Sequence, residues 1–231
     1  MVDLDKLIQL FNGDHDLEVE ESAYQAIIKI GKPAVTPLIE SLNIIGPNYW
    51  VFEALGELGE PRAIKHMIRH GSSWNHRGCV ADAIGKIGPV GTEGIPFLIK
   101  LLGDEEIGIR KRAANALVEV GDERAIDPLC NQLYSDSYSV NKMAHEAITE
   151  FIRRKPIITQ IQYLEEQYEH NFRLTAIEIL GEVNDASAQE LVIEALDKVL
   201  KESDGDFELH SDLRFYCESS IEKIKENPNS I

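Results

Sequence analysis

Apolar residues recur along this chain in a helical rhythm that itself repeats. Ala113, Ala116, Leu117 and Val120 stand at i, i+3, i+4 and i+7, the stripe that one helix buries, and Gly121 follows. The same figure ends at Gly31, Gly59, Gly88 and Gly181, and at Ile152, where the glycine is missing. Five residues before these six anchors stand Ala26, Ala54, Ala83, Ala116, Ala147 and Ala176, and four before stand Ile27, Leu55, Ile84, Leu117, Ile148 and Ile177. The spacings of 28, 29, 33, 31 and 29 residues leave room for two short helices per unit. The glycine supplies the positive φ that stops the first helix, and a proline opens the second, as in Pro37–Leu42, Pro96–Leu101 and Pro128–Leu133. A helical hairpin this small cannot cover its own apolar face, so successive hairpins must stack. The pattern predicts an all-α fold, a right-handed α-α superhelix of about six helical hairpins.

The ends differ from the middle. Residues 1–16, with a helix expected over Asp3 to Phe11, read as an N-terminal cap, residues 17–200 as the repeats, and residues 201–231, with a helix over Asp212 to Lys225, as an acidic C-terminal cap. The unit before Gly181 shows only its first helix in the pattern. In the unit after Gly59 the last core leucine is replaced by Gly71, which predicts a second helix that stops early and a gap for Trp74 to fill.

The stretch Asp104 to Arg110, then Arg112-Ala113-Ala114-Asn115-Ala116-Leu117-Val118-Glu119-Val120-Gly121-Asp122-Glu123-Arg124-Ala125-Ile126-Asp127-Pro128-Leu129, resembles the short HEAT-like repeat of the phycobilisome-lyase type. The units at Gly31, Gly59 and Gly88 resemble it well and the one at Ile152 poorly. The resemblance implies a HEAT-like or armadillo-type solenoid over most of residues 17–200.

Composition then narrows the function. The 231 residues carry a formal charge of −17, so a phosphate backbone or an anionic membrane would be repelled, and neither nucleic acid nor membrane is expected as a partner. The acidity sits at the ends: residues 1–22 carry −6 and residues 160–231 carry −11, while the body between is neutral. Cys79, Cys130 and Cys217 are far apart and odd in number, which excludes a disulfide framework, and the start bears acids where a signal peptide bears bases. Those features point to a cytoplasmic protein.

Candidate chemistry concentrates in residues 62–79. His66, Arg69 and His70 fall on one helical face with Lys65 beside them, and Trp74 follows after Ser73, a possible N-cap. Placed beside a concave groove lined by second helices, this cluster reads as a binding hot spot, extended by Lys100, Asn131 and Gln132 on later second helices. Arg77 reads differently: it lies 11 residues before Gly88, as Arg110 lies 11 before Gly121, and so belongs to the repeat itself. Asn48-Tyr49-Trp50 offers either aromatic contact surface or packing for the preceding unit. A metal at His66, His70, His76 and Cys79, a di-iron centre at His145-Glu146 and a calcium loop around Gly205 all lack the required spacing or ligand number. No nucleophile elbow, Walker loop or dinucleotide fingerprint occurs.

The expected function is a non-catalytic scaffold, without a cofactor, that binds another protein, one with basic patches, in a concave groove. The family resemblance adds an alternative, a bilin lyase subunit whose 62–79 cluster would hold the propionates of a linear tetrapyrrole. The acidity adds a third, an immunity-type inhibitor of a basic toxin.

Overall fold

The computed structural model describes residues 3–11, 16–71, 73, 75–135, 137–203 and 211–226, leaving aside the side chains of Ala186, Ser187 and Ser203. All regular structure among them is helical. The chain forms two compact units, residues 1–128 and 129–231.

In the first unit, α1 (Leu4–Gln9) precedes three hairpins: α2 (Leu17–Ile30) with α3 (Val35–Ile44), α4 (Tyr49–Glu57) with α5 (Ile64–Gly71), and α6 (Arg77–Ile87) with α7 (Ile95–Leu101). Helix α8 (Ile107–Val120) follows, and α9 (Ile126–Leu133) carries the boundary between the units. The periodic stripe is the core: Ala54, Leu55, Ala83, Ile84, Ala113 and Leu117 are all fully buried. Each buried Leu or Ile contributes about 1.5–3 kcal/mol, enough to hold helices that are too short to persist alone. A 3₁₀ turn, such as Pro61–Ala63 or Glu123–Ala125, leads into α3, α5 and α9, and two, Gly88–Val90 and Thr92–Gly94, lead into α7. Gly31, Gly59, Gly88 and Gly121 take φ of 77°, 67°, 70° and 66°, the left-handed turn expected of them.

The first helices approach one another closely. A Cβ on Gly56 would stand 2.8 Å from the Ala83 Cα, and one on Gly85 would stand 3.1 Å from the Ala116 Cα. Consequently α6 packs along α4 and α8 far more extensively than α5 packs along α3.

One expectation is corrected here. Helix α5 does not stop early: it runs through Gly71 for 8 residues, against 7 in α7 and 8 in α9. The space opened by Gly71 is filled by Phe52 and Val80, whose side-chain atoms stand 2.7 and 2.3 Å from where a Cβ would be. Trp74 lies outside the described residues. Arg77 is structural, as its spacing indicated. Its buried guanidinium donates to both carboxylate oxygens of Asp104, at 2.6 and 2.8 Å, and to Glu106 at 3.1 Å. Arg110 clamps the same turn from the other side through the Asp104 carbonyl at 2.5 Å.

The second unit contains α10 (Tyr138–Arg153), α11 (Ile157–Gln162), α12 (His170–Leu180), α13 (Ala186–Ser203) and α14 (Ser211–Glu226). The hairpin before Gly181 is therefore complete, with an 18-residue second helix that lacks the proline opening. Gly181 itself is right-handed, with φ of −65°. Its reason is contact: a Cβ there would stand 2.5 Å from Ser220 Oγ on α14, whose hydroxyl donates to the Ile177 carbonyl at 3.1 Å. Arg173 replaces the small or branched residue of the buried stripe and donates to the Leu164 carbonyl at 2.9 Å.

Candidate functional site

The first helices of the first unit present three ridges. On α4, Tyr49, Glu53 and Glu57 recur at i, i+4 and i+8; on α6, Asp82 and Lys86 are four apart; on α8, Arg112, Asn115 and Glu119 share a face. Between them lies a cavity of about 700 Å³, with Gly85 and Ala116 where the helices approach and Ile87, Gly88 and Pro89 at one end.

Ion pairs cross the ridges. Lys86 donates to Glu53 and lies 4.0 Å from Glu57, and Arg112 donates to Asp82. These pairs are one-third to one-half exposed on their basic partners and hold the side chains in place more than they stabilise the fold. Burial pushes the Asp82 carboxyl up despite Arg112 beside it. Burial lowers Lys86, but the hydrogen bond and charge of Glu53 outweigh it, so the ammonium is held above its ordinary value. Tyr24 and Tyr49 are both pushed up, first by burial and then by the negative field of Glu53. Cys79, half-buried nearby, has its thiol raised by burial, which is the opposite of an activated nucleophile.

One end of the groove is aromatic. Asn48 caps α4 by accepting from the Trp50 amide at 2.8 Å, and its side-chain amide donates to the Phe11 carbonyl at 2.6 Å. That fixes Trp50, whose Nε1 donates to Glu20 at 2.8 Å and whose ring stacks 6.3 Å from Phe11 and meets Tyr24 at 5.4 Å. Tyr49, edge-on to Trp50 at 5.2 Å and 48% exposed, faces the cavity. The two readings of Asn48-Tyr49-Trp50 thus divide between residues: Trp50 packs, and Tyr49 offers contact surface.

The residues singled out from sequence lie on the other helices. Lys65 and Arg69 are exposed on α5, with His66 and His70 half-buried beside them, and Lys100 is exposed on α7. None of them lines the 700 Å³ cavity. Burial and the neighbouring charges of Lys65, His70 and Arg69 hold His66 below its ordinary value, and the His70 Nε2 is buried without a hydrogen-bond partner. Asn131 and Gln132 belong to the second unit, where Asn131 is exposed and Gln132 half-buried. Among the described residues, no three His, Cys, Asp or Glu side chains gather to hold a metal ion, and no helix is long and apolar enough to cross a membrane. The acidic stretch 204–210 lies outside the described residues.

Residues 67–149 match the family model for HEAT repeats. No curated protein matches the chain. Among solved structures, the chain is similar to the complex of CpcE and CpcF of phycocyanin lyase from Nostoc sp. PCC7120, at 18% identity over 97% of this chain and 95% of that one, with a TM-score of 0.47. It is similar to the archaeal HEAT-like repeats protein from Thermococcus onnurineus NA1, at 10% identity over 97% and 98% of the chains, TM-score 0.45. A designed armadillo repeat protein is 16% identical over 96% of this chain and 100% of its own, TM-score 0.34.

The groove residues sequence reasoning missed had a signal. Gly56 and Gly85 both lie three positions before an anchor glycine, inside an otherwise helical pattern, and a helix-interior glycine marks close backbone approach.

Proposed function

We propose that this chain is a non-catalytic protein-binding scaffold whose first unit holds a partner in the groove between α4, α6 and α8. The observation that carries this is the 700 Å³ cavity itself, lined from three successive repeats by rigid helices. A groove built from repeats offers a linear series of polar contacts, which suits an extended stretch of a partner better than a compact substrate. Glu53 is paired with Lys86 and Asp82 with Arg112, and the adjacent thiol is suppressed, so the chemistry favours recognition over turnover.

The test is selection of binders from a random peptide library on the full chain. Sequences recovered on the wild type are expected to be lost on Asn115→Trp, which fills the groove, and retained on Lys100→Trp, an exposed site on α7. Recovery of sequences indifferent to Asn115→Trp would refute the groove as the docking surface.

A further inference from the structure

We propose that the occupant of this groove is an extended basic segment of a partner protein, its lysine or arginine side chains held between the Tyr49 ring and the carboxylates of Glu53, Glu57 and Glu119. The inference rests on the groove being the docking surface and adds the chemistry of what docks.

Charge decides the sign. The three ridges carry four acids, Glu53, Glu57, Asp82 and Glu119, against two bases, Lys86 and Arg112, and the excess lies on α4. Lys86 serves both Glu53 and Glu57, reaching the second only at 4.0 Å, so one cation faces two carboxylates there. The aromatic end adds Glu20, which accepts from Trp50, and the exposed ring of Tyr49. A cation set against an aromatic face and flanked by carboxylates gains from both the ring quadrupole and the charges. Both tyrosine hydroxyls are pushed up, first by burial and then by Glu53, whose share belongs to the same negative field. An acidic segment would meet this field and the repulsion of a chain carrying −17. The ridges are arranged along successive helices, so a segment crossing them meets Tyr49 and Glu53 on α4, Asp82 on α6, and Asn115 and Glu119 on α8 in turn. A basic segment with side chains at regular intervals matches that series.

The probe is a labelled octapeptide of alternating lysine and arginine, followed by fluorescence anisotropy on the full chain, with an alternating lysine and glutamate octapeptide as control. Net charge alone attracts a basic peptide, so the decisive comparison is between two equal charge changes. Glu57→Lys with Glu119→Lys alters the groove; Glu93→Lys with Glu123→Lys alters exposed positions outside it. All four positions are exposed, and lysine suits helical surfaces, so folding is preserved. The groove pair is expected to weaken binding about tenfold and the outer pair less than about threefold, since exposed pairs act over roughly a Debye length. Tyr49→Ala is expected to cost about threefold, and to keep that loss as salt rises, as a cation–π contact should. Equal losses for the two double variants, or no preference for the basic octapeptide over the control, would overturn the inference. Peptides selected from the library that depend on Asn115 but are not enriched in lysine or arginine would also overturn it, while leaving the docking groove standing.

Discussion

Gly56→Ala adds one methyl group where α4 meets α6. The new Cβ would lie 2.8 Å from the Ala83 Cα and 3.0 Å from its carbonyl oxygen, against an ordinary carbon contact of about 3.5–4.0 Å. Both neighbours are backbone, so relief requires the helices to part. In an isolated helix the same change stabilises by about 1 kcal/mol, because glycine loses more backbone entropy on folding. Overpacking costs about 1–3 kcal/mol, so the net expectation is a loss of about 0–2 kcal/mol. Gly108→Ala is the internal reference: it lies in α8 with no atom within 4 Å of its would-be Cβ, and so should stabilise by up to about 1 kcal/mol. The separation between the two variants, about 1–3 kcal/mol, isolates the cost of the close approach. The assay is equilibrium urea unfolding followed by tryptophan fluorescence, since both tryptophans, Trp50 and Trp74, belong to residues 1–128 and report that unit. Comparable m-values are required for the comparison. If the two variants raised the midpoint equally, the close approach of α4 to α6 would be wrong.

Other consequences are simpler to test. Asp104 is held below its ordinary carboxylate value by Arg77, so its contribution is fully present above about pH 4 and is lost as pH falls through the lower folded value. Arg77→Met is expected to lower stability near neutrality and to flatten the acid loss in urea titrations repeated from about pH 6 to about pH 3; an unchanged acid slope would contradict the pairing. Cys217 is fully buried and its thiol is pushed up to about 12, so a thiol reagent at about pH 8 should leave it unmodified in the native chain and label it in urea; rapid native labelling, read by peptide mass, would contradict its burial. Mixing the chain with a linear tetrapyrrole is expected to leave the pigment's visible spectrum unchanged, and a shifted band would favour the bilin reading over the scaffold.

Much of the architecture was legible because it rests on local rules that repeat. The alanine and leucine columns set the buried stripe, the four anchor glycines set the left-handed turns, and the 11-residue offset of Arg77 and Arg110 marked them as part of the repeat. The two arginines close on one turn in different ways, Arg77 from the preceding repeat through the Asp104 and Glu106 carboxylates and Arg110 through the Asp104 carbonyl. Gly181 was misread, since its place in the column is the same while its cause is contact with Ser220 rather than φ. The second helix after it was missed because Ala186–Ser203 lacks the proline that marked the others. The site was less legible still. Lys65, Arg69 and Tyr49 are all exposed polar or amphipathic residues on helices, and exposure alone does not say which of them line a cavity. That depends on which helices pack side by side, such as Gly56 against Ala83 and Gly85 against Ala116, which only the pairing of distant residues brings out.

The most direct measurement is photocrosslinking of the lysine and arginine octapeptide to a benzoylphenylalanine placed at single positions of the full chain. Substitution at Asn115, on the cavity-lining face of α8, is expected to capture the peptide, and substitution at Arg69 or Lys100, on α5 and α7, is expected to leave it free. Capture from Arg69 or Lys100 with none from Asn115 would place the partner on α5 or α7 and contradict the groove.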